Sequence, residues 1–282
     1  MALTRLNQPL SFYSRTLATA REYQRRYGGD RAFDDLGDAL THPGIESCVI
    51  CVPHHLHEEY VAAAVQARKH ILLEKPLAHS LASAARIADL VATAGHGRAF
   101  MLAEQMHYLP VLSHLRRLPQ SSAVRYVFTD RSPYQPTGWR TQLDCAGGGV
   151  MLDLGIHYVS LAVRAFGPIA SHEKTVLGRL PHTDIPCAER LHLQHANGVE
   201  GDIDVAWASP ETLTRLVVEG ASGTFQYQLG ERIAWFGRMP RFVCLRSANG
   251  RMQMMTDYIA KCRMASPPRE AADALPVLAA VF

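Results

Sequence analysis

The sequence predicts an α/β protein of two domains. A parallel sheet covered on both faces occupies residues 1–105 and is incomplete at its N-terminus; residues 106–282 form an α+β domain with a largely antiparallel open sheet. Three observations predict this. Strand-like and helix-like runs alternate with short connections up to Ala103, the pattern of a doubly wound sheet. After Phe166, strand-like runs follow one another with only turns between them, which implies antiparallel pairing. A chain of 282 residues is too long for one small core and suits two domains of ordinary size.

Leu10 to Tyr13 reads as the first strand, and Thr16 to Tyr27 as a helix ended by Gly28-Gly29. Phe33 to Leu40 reads as a short helical turn closed by His42-Pro43-Gly44. Ser47 to Val52 is a strand, and Leu56 to Arg68 a helix with Tyr60, Ala64 and Ala67 on one face. Ile71 to Leu73 is a strand, Leu81 to Ala94 a helix stopped by Gly95, and Ala99 to Ala103 the last parallel strand. Past Tyr108 the pattern changes: Val111 to Leu118 is a linking helix, Val124 to Thr129 an alternating strand, and Gly149 to Phe166 a strong helix ended by Gly167-Pro168. Strands then fall at Glu173–Leu177, Glu189–His195, Gly201–Trp207, Thr214–Glu219 and Thr224–Leu229, with hairpin chemistry at Asn197-Gly198 and Ser222-Gly223. A helix begins at Ala271 and runs to Phe282.

Composition excludes several classes. The chain is 48% apolar and 20% charged, as soluble globular proteins are. Its net charge is +3, and the densest basic cluster, Arg21 to Arg31, is interleaved with Glu22 and Asp30, which argues against nucleic acid as a partner. No apolar stretch spans a bilayer without a charge or a break, and Met1 to Pro9 lacks the features of a secretory signal. Cys48 and Cys51 form a Cys-x-x-Cys inside an apolar run with no further ligand pair, so they read as reduced core cysteines of a cytoplasmic protein.

Two motifs carry chemistry. Glu74-Lys75-Pro76 lies just past the carboxyl end of an apolar strand, where open α/β sheets bind ligands. A lysine there donates to a substrate oxygen, although the same tripeptide also suits a surface ion pair. Gly147-Gly148-Gly149 leads into a helix carrying Asp153 and His157, one turn apart on one face. A histidine beside a carboxylate serves as a proton-transfer group near neutral pH, or the pair merely staples the helix.

Glu74-Lys75-Pro76, Gly138-Trp139-Arg140 and the Gly-Gly-Gly…Asp153…Gly155…His157 segment together resemble, in order and spacing, the glucose-fructose oxidoreductase / inositol dehydrogenase (Gfo/Idh/MocA) family. The resemblance runs from about residue 10 to the C-terminus and includes Val52-Pro53-His54-His55-Leu56-His57. It implies a Rossmann-like nucleotide-binding domain and an NAD(P)-dependent oxidoreductase acting on a carbohydrate or polyol. Lys75 would bind the reacting oxygen, His157 would handle the proton, and Asp153 would position the substrate or tune the histidine. Trp139 and Arg140 would line the substrate pocket. Val52, Pro53, His54, His57, Glu74, Lys75 and Glu104 would lie along the cofactor. The resemblance implies a homo-oligomer built through the open sheet and no metal: His54-His55-x-His57 has no carboxylate or cysteine at ligand spacing.

The sequence departs from this pattern at its start. A dinucleotide site needs a glycine-rich turn about twenty residues before the ribose-reading side chain. That side chain falls on Ser14 or Arg15, so the turn is expected before Met1, with Ala2 to Leu6 as the tail of its helix. A start placed too late and a naturally short chain both give this pattern. Ser14-Arg15-Thr16 carries no carboxylate, which favours NADP(H) over NAD(H). Two further readings stay open: a catalytically silent member acting as an assembly subunit, and a glycoside-cleaving member with a trapped cofactor.

Overall fold

A computed structural model describes residues 6–94, 97–118, 123–221, 223–228, 233–242 and 250–282. The expected helix tail at Ala2 to Arg5, the Gly95 stop, Ser222 and Leu229 lie outside these residues.

The first part alternates as the sequence predicts: β1 (Ser11–Tyr13), α1 (Leu17–Tyr27), β2 (Arg31–Phe33), α2 (Leu36–Thr41), β3 (Ser47–Ile50), a 3-10 turn at His54–Leu56, α3 (His57–Gln66), β4 (His70–Glu74), α4 (Leu81–Thr93) and β5 (Phe100–Ala103). Capping fixes the helix limits. Thr16 and Ser80 accept hydrogen bonds from the backbone amides of Thr19 and Ser83, and Gly28 ends α1 at φ 70°. One expectation fails here. Phe33 belongs to strand β2, because Asp35 caps α2 and starts the helix after it.

The strands of this first part pair in parallel, in two separate sheets, β1-β2 and β3-β4-β5. In β4, Ile71 and Leu73 face Val61, Ala64, Ala84 and Ile87 of α3 and α4. Each such buried branched side chain contributes about 1.5–3 kcal/mol. The opposite face, Leu72 and Met101, is covered by α8 (Gly250–Cys262) through Met254, Met255 and Tyr258. Helix α8 was not expected from the sequence. Tyr258 of α8 reaches the β3 backbone at the Cys48 carbonyl, 3.5 Å away, yet Val49 stays 38% exposed and Cys51 is exposed, so Cys51 is not the core cysteine that its apolar neighbours suggest.

The second part holds an eight-stranded sheet in the order β13-β12-β11-β10-β6-β9-β8-β7. Its strands are β6 (Arg125–Arg131), β7 (Ile169–Arg179), β8 (Pro186–His195), β9 (Glu200–Ala206), β10 (Leu213–Gly220), β11 (Gly223–Gln228), β12 (Ile233–Phe236) and β13 (Met239–Phe242). Every neighbour is antiparallel except β6 and β9, which run parallel at the centre. The chain between them passes through helices and then the β7–β8–β9 meander, which returns β9 alongside β6. Short helices α5 (Val111–Leu115) and α6 (Leu143–Ala146) lead into a π turn at Met151–Gly155 and helix α7 (Ile156–Phe166). Helix α9 (Leu275–Val281) packs beside α7.

Helix α7 lies on one face of the sheet, with Phe166 stacked on Tyr126 at 4.7 Å. The run Leu143–Phe166 is long and apolar enough to cross a bilayer by composition, yet 72% of its most apolar window is buried inside the protein. The Gly147–Gly149 break and the charge of Asp153 interrupt it.

Candidate active site

Strand β4, buried from His70 to Leu73, brings Lys75 out at its carboxyl end, followed by a cis peptide to Pro76. The Lys75 Nζ donates to the Asp153 carboxylate at 2.7 Å and to the Asp153 carbonyl at 2.5 Å. Both side chains are mostly buried, 16% and 18% exposed. Burial works to raise the Asp153 carboxyl, and the Lys75 ammonium overrides it and holds the group below its ordinary range. Arg140 Nε lies 3.6 Å from the other Asp153 oxygen, and its guanidinium sits 4.4 Å above the Trp139 ring.

Four residues later along the chain, His157 turns to a different partner. Its Nδ1 donates to Glu104, 2.8 and 3.0 Å from the two carboxylate oxygens. Asp153 and His157 are therefore not paired with each other, contrary to the i, i+4 reading. The π turn at Met151–Gly155 carries Asp153, whereas His157 lies in the regular helix after it, so the two side chains reach different strands. Two separate pairs result, Lys75–Asp153 past β4 and His157–Glu104 past β5.

The loop before this helix is built by close approach. A Cβ on Gly147 would lie 1.9 Å from the His79 carbonyl oxygen, and one on Gly149 would lie 2.1 Å from that of Pro186. Buried Glu189 accepts a hydrogen bond at 2.8 Å from Met151 N at the start of the π turn. The glycines thus seat the helix start against the Lys75 turn on one side and β8 on the other.

The histidines of the Val52–His57 loop do structural work that the resemblance did not imply. The His54 ring donates through Nδ1 to the Ala146 carbonyl at 3.0 Å, and its edge meets Trp139 at 4.5 Å. Burial lowers its pKa to about 3. His57 lies between the carbonyls of Pro76 and Val52, 2.9 and 3.1 Å from its two nitrogens, and burial lowers its pKa also. These rings brace the ends of β3 and β4. Val52 and Pro53 are half-buried beside them. Ser14 follows β1, with its amide on the Phe33 carbonyl at 3.1 Å, and Arg15 is exposed. Glu74 is half-buried, and burial raises its carboxyl. Glu104, expected along the cofactor, is 3% exposed and committed to His157. No linear signal marks this pairing, nor that of Glu189 with Met151 N. Among the described residues no group of three or more His, Cys, Asp or Glu is arranged to hold a metal.

A parallel α/β unit whose strand end presents a lysine is joined to an open sheet whose covering helix presents an aspartate and a histidine. Residues 2–103 match the model of the oxidoreductase family with an NAD-binding Rossmann fold, and residues 119–226 match the GFO/IDH/MocA C-terminal domain. The chain belongs to the Gfo/Idh/MocA oxidoreductase family. It is 25% identical to levoglucosan dehydrogenase of Pseudarthrobacter phenanthrenivorans over 217 residues, 73% of this chain and 55% of that protein. It is likewise 25% identical to trans-1,2-dihydrobenzene-1,2-diol dehydrogenase of Mus musculus, over 79% of this chain and 67% of the relative. These matches span little more than half to two thirds of the relatives' length. A 3-ketoreductase from Actinomadura kijaniata, solved with NADP and TDP-benzene, shares the fold at TM-score 0.83 and 19% identity, over 99% of this chain and 90% of that one.

Proposed function

We propose that this chain is an oxidoreductase that transfers a hydride between NADP(H) and a CH–OH carbon of a sugar, polyol or keto sugar. The observation that carries the reading is the pair of separately anchored groups, Lys75 on Asp153 and His157 on Glu104, past the carboxyl ends of β4 and β5. In oxidation, Lys75 donates to the substrate oxygen and stabilises the negative charge that develops there, while His157 takes the hydroxyl proton. Asp153, ionised beside Lys75, holds the ammonium in place. Trp139 and Arg140 lie against this pair and supply an apolar face and a cation to a carbohydrate-like ligand.

Ser14, Arg15 and Glu74 at the strand ends, Arg15 exposed and the other two half-buried, support a dinucleotide lying over them. Bound nicotinamide supplies the hydride acceptor or donor. Ser14 and Arg15 offer a hydroxyl and a cation with no carboxylate, which suits a 2′-phosphate. Levoglucosan dehydrogenase has been solved with NADH and levoglucosan, and the ketoreductase with NADP, so relatives of this fold take either nucleotide. Fluorescence titration with NADPH and NADH tests the preference. NADPH is expected to bind at least about tenfold tighter, and Arg15→Ala to remove most of that difference, as loss of a charge-assisted hydrogen bond does. Equal affinity for the two nucleotides overturns the preference.

A cytoplasmic location and a homo-oligomer belong to the same proposal. Val127 and Trp235, 36% and 48% exposed, lie on the sheet face opposite α7 and support self-association there. The separation of β1-β2 from β3-β4-β5 favours a second reading, an assembly subunit without turnover. Under that reading Lys75→Met leaves every measurable property except local stability unchanged.

A further inference from the structure

We propose that Glu104 is the positioning residue of His157. It fixes the imidazole as the Nδ1–H tautomer, so that Nε2 is the atom exchanging the proton with the substrate oxygen. This rests on the reading above, in which His157 acts on the substrate.

The geometry carries it. An ionised carboxylate only accepts, so the nitrogen 2.8 and 3.0 Å from its two oxygens must bear the proton. A neutral ring then has its lone pair on Nε2. That atom has no hydrogen-bond partner among the described residues, and it is not one of the fully buried unpartnered polar atoms. Glu104 is itself anchored before it meets the ring. One of its oxygens accepts from Met106 N at 3.0 Å, capping the 3-10 turn at Gln105–Tyr108. The carboxylate is 3% exposed, and its burial would force it neutral without a partner. Asp153 is engaged by Lys75 and Arg140, leaving Glu104 as the carboxylate in contact with His157. Glu74 and Asp130 add negative charge near the ring, from β4 and β6, and His107 lies beyond Glu104 on the same turn, with its Nε2 2.6 Å from Ser160 Oγ.

In the oxidative direction the substrate O–H bond breaks and its proton moves to Nε2. The C–H bond breaks and its electron pair leaves as hydride, which a bound nicotinamide would accept, and a C=O bond forms. Glu104 stays ionised throughout and offsets the charge of the imidazolium, as a buried carboxylate behind a general base does.

The test pairs nitrogen-15 NMR of the His157 ring with steady-state kinetics on the full chain, native and with Glu104→Ala, Glu104→Gln and Glu104→Asp. The native ring is expected to carry its proton on Nδ1, and Glu104→Ala to shift it toward Nε2. In Glu104→Ala, kcat should fall about a hundredfold or more, the scale of a misdirected general base, with KM changed less than about threefold. Glu104→Gln keeps the shape but not the charge and should lose kcat nearly as far, while Glu104→Asp should recover about tenfold over alanine. An unchanged ring signal in Glu104→Ala, or kcat within about threefold of native, overturns the proposal. If the native chain turns over no substrate, the functional reading fails, and the ring signals still decide the Glu104 assignment.

Discussion

Replacing Gly147 with alanine should destabilise the protein far more than the same change at Gly138, although both glycines adopt positive φ. At Gly138, φ is 63° and a Cβ meets nothing within 4 Å. The substitution there costs about 1–2 kcal/mol, the left-handed penalty of an L residue. At Gly147, φ is 79° and a Cβ would stand 1.9 Å from the His79 carbonyl oxygen and 2.6 Å from its carbonyl carbon. Both are backbone atoms, so relief requires moving the turn that follows Lys75. Overpacking of that kind adds about 1–3 kcal/mol, for a total of about 2–5 kcal/mol. At about 2–4 °C per kcal/mol for a chain of this order of size, Tm falls by about 4–20 °C in Gly147→Ala and by a few degrees in Gly138→Ala. Circular dichroism melts of the two variants beside the native chain measure this. Melting temperatures of the two variants within about 2 °C of each other would refute the close-approach argument.

Three further outcomes follow from the same geometry. Asp153→Asn removes the charge that pins Lys75 and leaves a largely buried ammonium partly uncompensated, so it should lower stability by about 2–4 kcal/mol in urea melts and reduce kcat more than KM is raised; a variant with native kcat removes Asp153 from the site. His54 is buried with its pKa lowered to about 3, so the unfolded chain binds more protons than the folded one between about pH 6.5 and 3. Its neutral-ring stability is present above pH 6.5 and lost as pH falls, at up to about 1.4 kcal/mol per pH unit; the stability gap between native and His54→Asn should therefore narrow from pH 7 to pH 5, and a constant gap contradicts the assignment. Glu189→Gln keeps an acceptor for Met151 N and should cost less than about 1 kcal/mol, whereas Glu189→Ala leaves that amide unpaired and should cost about 1–3 kcal/mol by thermal melt; equal losses would show that the hydrogen bond contributes little.

Most strands and helices were legible because their signals are local. Thr16 and Ser80 cap helices, Gly28 ends one, and the apolar run of β4 is buried throughout. The failures have physical causes. Arg31 to Phe33 is a strand only through pairing with β1, and three residues carry no periodicity of their own. Helix α8 covers a sheet face through Met254, Met255 and Tyr258, a pattern weakened by the polar residues between them. The parallel β6–β9 contact joins strands separated by two helices and a meander, which no short window records. In the site, Lys75, Asp153 and His157 were each legible from motif spacing. Their partners were not: an ideal helix pairs Asp153 with His157, and the π turn separates them. The Glu104–His157 contact was not legible because the end of a strand gives no sign of which way its side chain will turn.

The most direct test of the central claim is the transfer of deuterium from NADPH labelled at C4 of the nicotinamide to a panel of keto sugars, using the native chain and Lys75→Met. The account predicts label on the new carbinol carbon of at least one product, with the rate about a hundredfold or more lower in Lys75→Met and NADPH affinity unchanged. Native chain that binds NADPH but labels no product, or Lys75→Met that labels it at the native rate, would contradict the account.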